Sequence, residues 1–298
     1  MTKQKIKRSW DDRLFYILDT ILLLFMILIV ILPLMHVISV SLSNSGAVSA
    51  GKVLIFPVGF NLNAYKTLLN TKSITTGMTN TIYYTVMGTV LNIFMTIICA
   101  YPLSRKNLPG KKFILWIFTF TMMFGGGLIP SYLNIRNLGL LNTRWAMIIP
   151  GAMSVWNMII TRTFFMNSIP DELIEAGEID GASDFQCFMR LVLPNSTTII
   201  AIMALFYAVG HWNQYYTAML YLNKPELYNL QLVLRNIIAS TQALMEQTDN
   251  IAAAEKTAET IEVLKYAVIV FTSLPIMLFY PFLQKYFVKG VMVGSLKG

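Results

Sequence analysis

One glycine-rich segment has the spacing of a phosphate-binding loop. It contains Gly46, Gly51 and Lys52, and in such a loop the backbone N–H groups and the lysine hold the phosphates of a nucleotide. The next residue has to supply a hydroxyl group to Mg²⁺, but this chain has Val53 there, and no run typical of a buried strand precedes the segment. We therefore expect no nucleotide site in this chain.

The side chains that most often act as general acids, general bases and metal ligands are scarce and scattered. His36 and His211 each stand alone near the end of an apolar stretch, and Cys99 and Cys187 form no CxxC pair. No HExxH or GxSxG motif occurs. Catalytic and metal sites need several such groups to converge, so we expect neither, and we expect the two histidines to be structural.

Acidic side chains are concentrated in one polar segment. Pro170 is a typical helix-start residue, and the residues after it have helical spacing as far as Gly181. A second short helix is predicted at 184–191, ahead of Pro194. The acids of this segment are Asp171, Glu172, Glu175, Glu178, Asp180 and Asp184. We call residues 166–195 the acidic loop and expect two short helices in it.

The rest of the chain has the composition of a membrane protein. Of its 298 residues, 55% are hydrophobic and 13% are charged, whereas soluble domains carry about 25% charged residues. A helix that crosses hydrocarbon needs about 20 apolar residues, because it must satisfy its own backbone hydrogen bonds. The sequence predicts an all-α polytopic bundle of six transmembrane helices, at about 14–40, 79–103, 113–135, 145–165, 196–216 and 264–283. Kinks are expected at Pro33, Pro130, Pro150 and Pro275.

Basic residues predict how this bundle, residues 14–283, is oriented. The positive-inside rule counts Lys and Arg in short flanking segments. Three such segments, namely residues 1–13, the loop after the second span and the tail 284–298, carry Lys3, Lys5, Lys7, Arg8, Arg13, Arg105, Lys106, Lys111, Lys112, Lys285, Lys289 and Lys297. We therefore expect a multi-pass plasma (inner) membrane protein with both termini and the acidic loop in the cytoplasm. These flanks also explain the net charge of +8, so we do not expect nucleic-acid binding.

The acidic loop has two interpretations. It could be an amphipathic segment that packs under the bundle, at the lipid surface. Its six acids would then face an anionic leaflet with only Arg162 and Arg190 to offset them, so lipid is an unfavourable partner. A basic or polar groove on a cytosolic protein suits this charge better.

The acidic loop resembles the EAA motif of ABC-importer permeases. That motif reads Glu-Ala-Ala, three residues, Gly, nine residues, then Ile-x-Leu-Pro. The residues that match it are Glu175, Ala176, Gly181, Leu193 and Pro194. Gly177 replaces the second Ala and Leu191 replaces the Ile. Glycine inside a helix costs about 1 kcal/mol relative to alanine, so we expect Gly177 to loosen the first helix slightly.

Other segments resemble the maltose-type carbohydrate permeases. Trp212-Asn213 near the outer end of the fifth predicted span and the tail 287–298 are similar to that family. Within it, FGGGLIP at 124–130 and LGLLNT at 138–143 most resemble a subgroup linked to uptake of polysaccharides or complex oligosaccharides, including lipoprotein-associated permeases. The resemblance covers essentially the whole chain.

This resemblance implies a transport function and a set of partners. The chain would be a permease subunit of a binding-protein-dependent ABC importer and would form half of a transmembrane pathway for a carbohydrate, an oligo- or polysaccharide. Its partners would be a second, different permease chain, two cytosolic ABC ATPases that bind ATP and Mg²⁺, an extracytoplasmic solute-binding protein and membrane lipid. The residues implied in ATPase coupling are Glu175, Ala176, Gly177, Asp180, Gly181, Leu193 and Pro194. No catalytic residue or cofactor is implied in this chain itself.

Polar and aromatic residues within the predicted spans are candidates for the transport pathway. Polar groups are costly in hydrocarbon and usually face a protein interior, and sugars bind through aromatic faces together with hydrogen bonds. The candidates are Asn80, Asn157, Trp212, Asn213 and Tyr216, with Asn92, Trp156 and Tyr215 beside them. The alternative roles are contacts between helices for asparagine and anchoring at the membrane interface for tryptophan and tyrosine.

Other functions stay open on the residues alone. A permease for an amino acid, phosphate or a metal ion would also have the loop. An ion-coupled secondary transporter would normally need carboxylates inside the membrane, and Asp19 is the one acid within the predicted spans. A membrane-bound transferase would need converging acid, base or metal-binding groups.

Overall fold

The computed structural model describes residues 10–246 and 262–278, and all regular structure in these residues is helical. The chain divides into two compact units. The first takes its residues from Met1–Asn70 and Ile238–Ser273, and the second from Thr71–Ile237 and Leu274–Gly298.

The first unit contains the long N-terminal helix. Helix α1 (Trp10–Ser41) is apolar enough to cross a membrane and covers the predicted span at 14–40, with Pro33 inside it. Two short helices follow, α2 (Ser45–Ser49) and α3 (Asn63–Asn70), so helical turns occupy part of the glycine-rich segment. His36 has a structural contact, since its Nδ1 lies 2.9 Å from the carbonyl oxygen of Leu54.

Helix α4 (Lys72–Ser104) is the central element of the second unit. Its 33 residues span about 50 Å at the usual helical rise, and it is the second helix that is long and apolar enough to cross a membrane. The observed helix starts seven residues before the predicted span at 79–103. We refer below to the two ends of the unit as the N-terminal end and the C-terminal end of α4.

The third predicted span, 113–135, is interrupted in the structure, at residues before the kink expected at Pro130. The structure has α5 (Lys111–Met123) and α6 (Leu128–Asn137), bent by 113° across the break between them. Three consecutive glycines fill most of that break, and Gly127 has φ +85°, a backbone conformation that side-chain-bearing residues rarely adopt. The glycines therefore end one helix and redirect the chain before the next.

The fourth predicted span, 145–165, begins ten residues later than expected. A 3₁₀ turn (Arg144–Met147) and an irregular stretch precede α7 (Val155–Ser168). Pro150 lies in that stretch; it lacks an N–H group and disfavours helical geometry in the residue before it. Ser154 then caps α7 by accepting a hydrogen bond from the N–H of Asn157 at 3.4 Å.

The remaining helices follow the acidic loop. Helix α8 (Asp171–Ile179) and α9 (Asp184–Cys187) form in the loop, a π-helical turn (Phe188–Val192) follows, and α10 (Leu193–Asn195) ends it. Helix α11 (Thr197–Trp212) lies within the predicted span at 196–216. After it come α12 (Tyr215–Tyr221), a 3₁₀ turn (Pro225–Leu227) and α13 (Leu230–Glu246).

The number of spans remains a prediction. In the described residues two helices could cross a membrane by length and composition, or up to four if each sharply bent helix pair counts as one span. Residues 262–278 are helical, and the predicted sixth span, 264–283, extends beyond them. The N-terminal residues 1–9 and the tail 284–298 lie outside the described residues.

The core of the second unit forms where α4 contacts both α7 and α11. Towards the C-terminal end of α4, its buried residues Ala100 and Leu103 share a cluster with Met158 and Phe165 of α7. The acidic loop contributes Ile174, Cys187 and Val192 to that same cluster. The acidic loop is therefore part of the same hydrophobic core as α4 and α7.

Candidate functional site

Proline and glycine bound the first helix of the acidic loop. Pro170 occupies the N-cap with extended backbone, and Asp171 and Glu172 lie in the first turn, where carboxylates stabilise the helix dipole. Gly181 has φ +80° just after the last residues of the helix, as glycine permits. Ser183 then starts α9 with a capping box, in which its N–H donates to Oε1 of Gln186 at 2.9 Å.

The second helix of the loop is longer than predicted and differs at Pro194. The helical path from Asp184 continues through the π-helical turn to Asn195, and Pro194 lies inside it. Proline has no N–H to donate, and the π-helical turn before it is where the α-helical hydrogen-bond pattern changes. The sharp bend comes at Ser196, where the path turns by 75° into α11.

Gly177 is also restricted by packing, a feature that helix propensity alone does not show. A Cβ atom at this position would lie 2.8 Å from Cδ1 of Leu191 and 3.0 Å from Sγ of Cys187. Gly177 therefore lets α8 approach the second helical segment more closely than an alanine would allow. Sequence reasoning missed this because the contact joins residues at least ten positions apart.

Ionic contacts tie the start of α8 to the C-terminal end of α4. Asp171 accepts hydrogen bonds from Nζ of Lys106 at 2.8 Å and from Nη1 of Arg105 at 3.3 Å. The hydrogen bond from Lys106 holds the pKa of the Asp171 carboxyl below its ordinary value, and the same bond raises the pKa of Lys106. Nearby, Nε of Arg162 donates to the carbonyl oxygen of Leu103 at 2.8 Å.

Aromatic packing fixes the other side of the loop. The ring of Tyr101 on α4 lies 4.8 Å from that of Phe188 and 6.1 Å from that of Phe165, between centroids. The guanidinium of Arg105 lies 5.3 Å above the same Tyr101 ring. The acidic loop, the end of α4 and α7 are therefore packed tightly enough to move together.

The outward face of the loop combines apolar side chains with carboxylates. Ile179 is 86% exposed and Phe185 is 70% exposed. The exposed coupling candidates are Glu175, Ala176, Asp180, Gly181 and Pro194, whereas Gly177 is buried and Leu193 is half-buried. Phe185 and Met189 line an apolar cavity beside Phe94 and Tyr101 of α4. We call the exposed side chains of Glu175, Glu178 and Ile179 on α8 the outward face. Such a face can dock against a protein groove that offers apolar contacts and a basic rim.

The pathway candidates are distributed over several local arrangements. Asn80 is buried and donates from Nδ2 to the carbonyl oxygens of Glu226 at 2.8 Å and Tyr228 at 3.0 Å, so it holds the chain ahead of α13. Asn213 is exposed, ends α11 and donates to the carbonyl oxygen of Val209 at 3.1 Å. The structure thus gives both asparagines backbone contacts.

The other candidates differ in exposure. Asn157 on α7 is 8% exposed and Trp212 at the end of α11 is 7% exposed. Tyr216 is 49% exposed and its ring lies edge-on to that of Tyr215, with 6.5 Å between centroids. Trp156 is 61% exposed. Within the described residues, the pathway candidates are therefore not all in contact with one another.

A buried polar network that the sequence reasoning missed joins α4 to α11. Asn92 donates from Nδ2 to the carbonyl oxygen of Gly151, and its Oδ1 accepts from Nε2 of His211 at 2.6 Å. Nδ1 of His211 lies 3.1 Å from Oε1 of Gln214. A Cβ on Gly88 would lie 2.3 Å from Nε2 of His211, so that glycine makes room for the ring.

A second pair of polar side chains joins α4 to α11 one helical turn further along α4. The hydroxyl groups of Thr96 and Tyr207 are 2.6 Å apart, and the Tyr207 oxygen accepts from the N–H of Ser154 at 3.2 Å. We call Asn92, Thr96, Tyr207 and His211 the polar seam. The sequence signal that could have revealed it is the spacing of Gly88, Asn92 and Thr96, which places three small or polar residues on one face of α4.

Comparisons with known proteins agree with this architecture. Residues 92–293 match the family described as the binding-protein-dependent transport system inner membrane component. The polygalacturonan/rhamnogalacturonan transport system permease protein YtcP of Bacillus subtilis (strain 168) is 39% identical over 287 residues, which cover 96% of this chain and 99% of that protein. Protein LplC of the same organism is 41% identical over 270 residues, or 91% of this chain and 90% of that protein.

A solved structure is similar over almost the whole chain. It is a chain in the crystal structure of a bacterial ABC transporter involved in the import of the acidic polysaccharide alginate. The TM-score is 0.85 and the sequence identity 33%, and the match covers 95% of this chain and all of the other.

Proposed function

The chain belongs to the family of binding-protein-dependent transport system inner membrane components, non-catalytic permease subunits of ABC transporters, and from this premise we propose that its cargo is a carbohydrate. The observation that carries the proposal is similarity along nearly the whole length to YtcP, whose name specifies polygalacturonan and rhamnogalacturonan. The alginate transporter supports the same class of cargo. We propose an oligo- or polysaccharide.

The proposed complex has five chains. This permease pairs with a second, different permease, and the two form the pathway. Two cytosolic ATPases supply ATP and Mg²⁺ binding, and a solute-binding protein delivers cargo from outside. In this arrangement the chain has six spans, with the termini and the acidic loop facing the cytoplasm, as the distribution of basic residues favours.

The acidic loop is the proposed contact with the ATPase. Its outward face supplies Glu175, Glu178 and Ile179, while Ala176 lies exposed on the same helix and Asp180 is the C-cap of that helix. Gly177 and Gly181 shape the two helices, and Leu193 and Pro194 carry the chain into α11. Because the loop shares a core with α4 and α7, movement of the ATPases would shift it together with these helices.

The pathway assignment is the second part of the proposal. Trp212, Tyr216 and Asn157 are proposed to contact the cargo or its path, since aromatic faces and amides suit sugars. Asn80 and Asn213 are proposed to shape the path through their backbone contacts.

ATP hydrolysis by the purified complex in lipid tests the proposal. The complex should hydrolyse ATP faster when binding protein loaded with oligosaccharide is added, and Glu175→Ala and Gly181→Asp should abolish this response while the chain still inserts. If no ATPase co-purifies with the native chain and the variants give the same result as the native chain, the loop is not a coupling element. If ATP hydrolysis responds to binding protein loaded with a non-sugar solute alone, the cargo assignment is wrong.

A further inference from the structure

Two arginines at the N-terminal end of α4 are stacked on tyrosine rings. The guanidinium carbon of Arg144, in the 3₁₀ turn, lies 5.0 Å from the ring centroid of Tyr83. That of Arg235, on α13, lies 5.7 Å from the ring centroid of Tyr215. Both arginines are exposed. Stacking restricts a guanidinium while leaving its N–H edge free to form hydrogen bonds.

Neither arginine has an acidic partner within the described residues. The ion pairs found there all involve Asp171, at the opposite end of α4. Between residues 71 and 237 there are seven acids, of which six lie at 171–184 and the seventh is Glu226. Five basic residues lie near the N-terminal end of α4, namely Lys72, Arg136, Arg144, Lys224 and Arg235. This end therefore has an excess of positive charge that the unit does not neutralise.

The two arginines stand on one shared core. Tyr83 and Tyr215 both pack against a buried cluster that includes Met147, Ile148 and Leu232. Leu232, Val233 and Leu234, just before Arg235, are each at most 5% exposed. The guanidinium groups are therefore placed by rigid surroundings before any ligand arrives.

Further contacts fix the start of α13 on α4. The N–H of Leu230 donates to Oγ1 of Thr81 at 2.8 Å, and Gly77 admits Val233, whose Cγ2 would lie 3.1 Å from an added Cβ. The N–H of Asn142 donates to the carbonyl oxygen of Tyr221 at 2.9 Å. This hydrogen bond connects the loop just before Arg144 to the last residue of α12. The segments that carry both arginines are thus joined through α4 and α12.

We propose that Arg144 and Arg235 recognise carboxylate groups of an anionic oligosaccharide as it enters this subunit. The proposal rests on the proposed carbohydrate cargo and adds its charge. A planar guanidinium binds a carboxylate through two parallel hydrogen bonds, and two such groups on one rigid core can bind two acidic sugar units of one chain. A neutral sugar has no group that needs two unpaired arginines.

Uptake into proteoliposomes that contain the complete transporter, with its binding protein, tests this inference. The probes are tri-galacturonate and its methyl ester, which has the same sugar rings without the negative charges. The native transporter should take up the acid faster. Arg144→Gln and Arg235→Gln should each lower uptake of the acid about tenfold, the loss expected for one bidentate charge-assisted pair, and leave uptake of the ester unchanged.

A matched control lies on the same end of the molecule. Arg136 on α6 is also exposed, and no ring contact or ion pair of its side chain occurs within the described residues. Arg136→Gln removes the same charge, so uptake of the acid should fall by less than about twofold. An equal loss in all three variants would mean that only the general positive field matters, and it would overturn the assignment of Arg144 and Arg235.

Three other results would also overturn the inference. Equal loss of acid and ester uptake would show that the arginines support folding or assembly. Recovery of the variants at saturating binding protein would show that they contact that protein and not the sugar. A native transporter that imports neutral oligosaccharides and rejects tri-galacturonate would refute the anionic cargo and leave the carbohydrate importer intact. Failure with every oligosaccharide would refute the carbohydrate proposal itself.

Discussion

At the C-terminal end of α4 six carboxylates between Asp171 and Asp184 are accompanied by six basic residues, whereas at the N-terminal end five basic residues accompany a single acid, Glu226. The six basic residues are Arg105, Lys106, Lys111, Lys112, Arg162 and Arg190. The acidic end uses one carboxylate, that of Asp171, to hold the loop on α4 and exposes others beside apolar side chains. The basic end stacks Arg144 and Arg235 on tyrosines and pairs neither with an acid in the described residues. A charged side chain that forms an ion pair within the subunit positions a helix. A charged side chain that has no such ion pair is available to bind a partner or a ligand.

The polar seam lies between these two ends of α4. Gly88→Ala is the strongest test of whether the close packing of α4 on α11 at this seam holds the subunit together. The added methyl would lie 2.3 Å from an imidazole atom, and a ring cannot yield as a flexible chain end can. We expect a loss of about 1–3 kcal/mol or more from overpacking, seen as a lower apparent Tm of the complex in detergent, together with loss of coupling.

Two variants control this experiment. Gly210→Ala on α11 adds the same methyl where no atom of another described segment lies within 4 Å, so the apparent Tm should stay near the native value. Adding His211→Ala to Gly88→Ala should restore part of the lost stability by making space. If Gly88→Ala is as stable as native, the close contact between α4 and α11 does not exist.

Gly177→Val tests whether shape, and not only charge, sets the acidic end. The side chain would meet Leu191 and Cys187, and α8 would have to move away. We expect stimulation of ATP hydrolysis by loaded binding protein to fall about tenfold or more, because overpacking of this size costs about 1–3 kcal/mol. Gly210→Val on α11 adds the same side chain where no atom of another described segment lies within 4 Å of an added Cβ, and it should change stimulation little. An equal loss there would show that close packing at Gly177 is not what the substitution disturbs.

Neutralising the outward face separates exposed charge from anchoring charge. Glu175→Gln together with Glu178→Gln should weaken assembly with the ATPase about fivefold, measured by pull-down at low salt, since complementary charge favours docking. The difference from native should shrink at about 1 M salt, where the Debye length is about 3 Å. Import of acid relative to ester should not change, because these residues lie at the other end of α4 from Arg144.

Asp171→Asn should have the smallest effect. Exposed ion pairs contribute little, so we expect coupling to fall by less than about threefold. The pKa of Asp171 is lowered in the folded chain, so its contribution is present above the unfolded value of about 3.9 and is lost as pH falls through the lower native pKa. The apparent Tm should therefore show no Asp171-dependent change between pH 7 and pH 5. A difference between native and Asp171→Asn that disappears within that range would contradict the assignment.

Local signals predicted the acidic loop well. Pro170, the acids of the first turn and Gly181 are all readable from neighbouring residues, and the structure has α8 between them. The apolar runs also predicted α1 and α4. In each case the information lies within a few residues of the element that it determines.

Long-range packing was not readable in the same way. Asn92 and His211 are 119 residues apart, and nothing near either residue indicates its partner. Gly177 was taken as a weakness because its contact with Leu191 cannot be seen from helix propensity. The helix bounds within the predicted spans at 113–135 and 145–165 were hard to predict for another reason. Hydropathy counts apolar residues, whereas glycines and prolines decide where the hydrogen bonds of a helix stop.

The break between α5 and α6, at residues 124–127, affects the stability of an unassembled subunit in the bilayer. These residues are exposed, and they join the helices at their ends, where the N–H of Phe124 donates to the carbonyl oxygen of Phe120 and the carbonyl oxygen of Gly127 accepts from the N–H of Ser131. Gly125 and Gly126 lie between the two helices. In lipid each unsatisfied backbone group costs several kcal/mol, so a break of this kind has to face protein or water. A solitary copy in the bilayer would be penalised by its own main chain. Contact with neighbouring chains would cover these groups, so we expect an unassembled copy to be less stable in the bilayer than the assembled one.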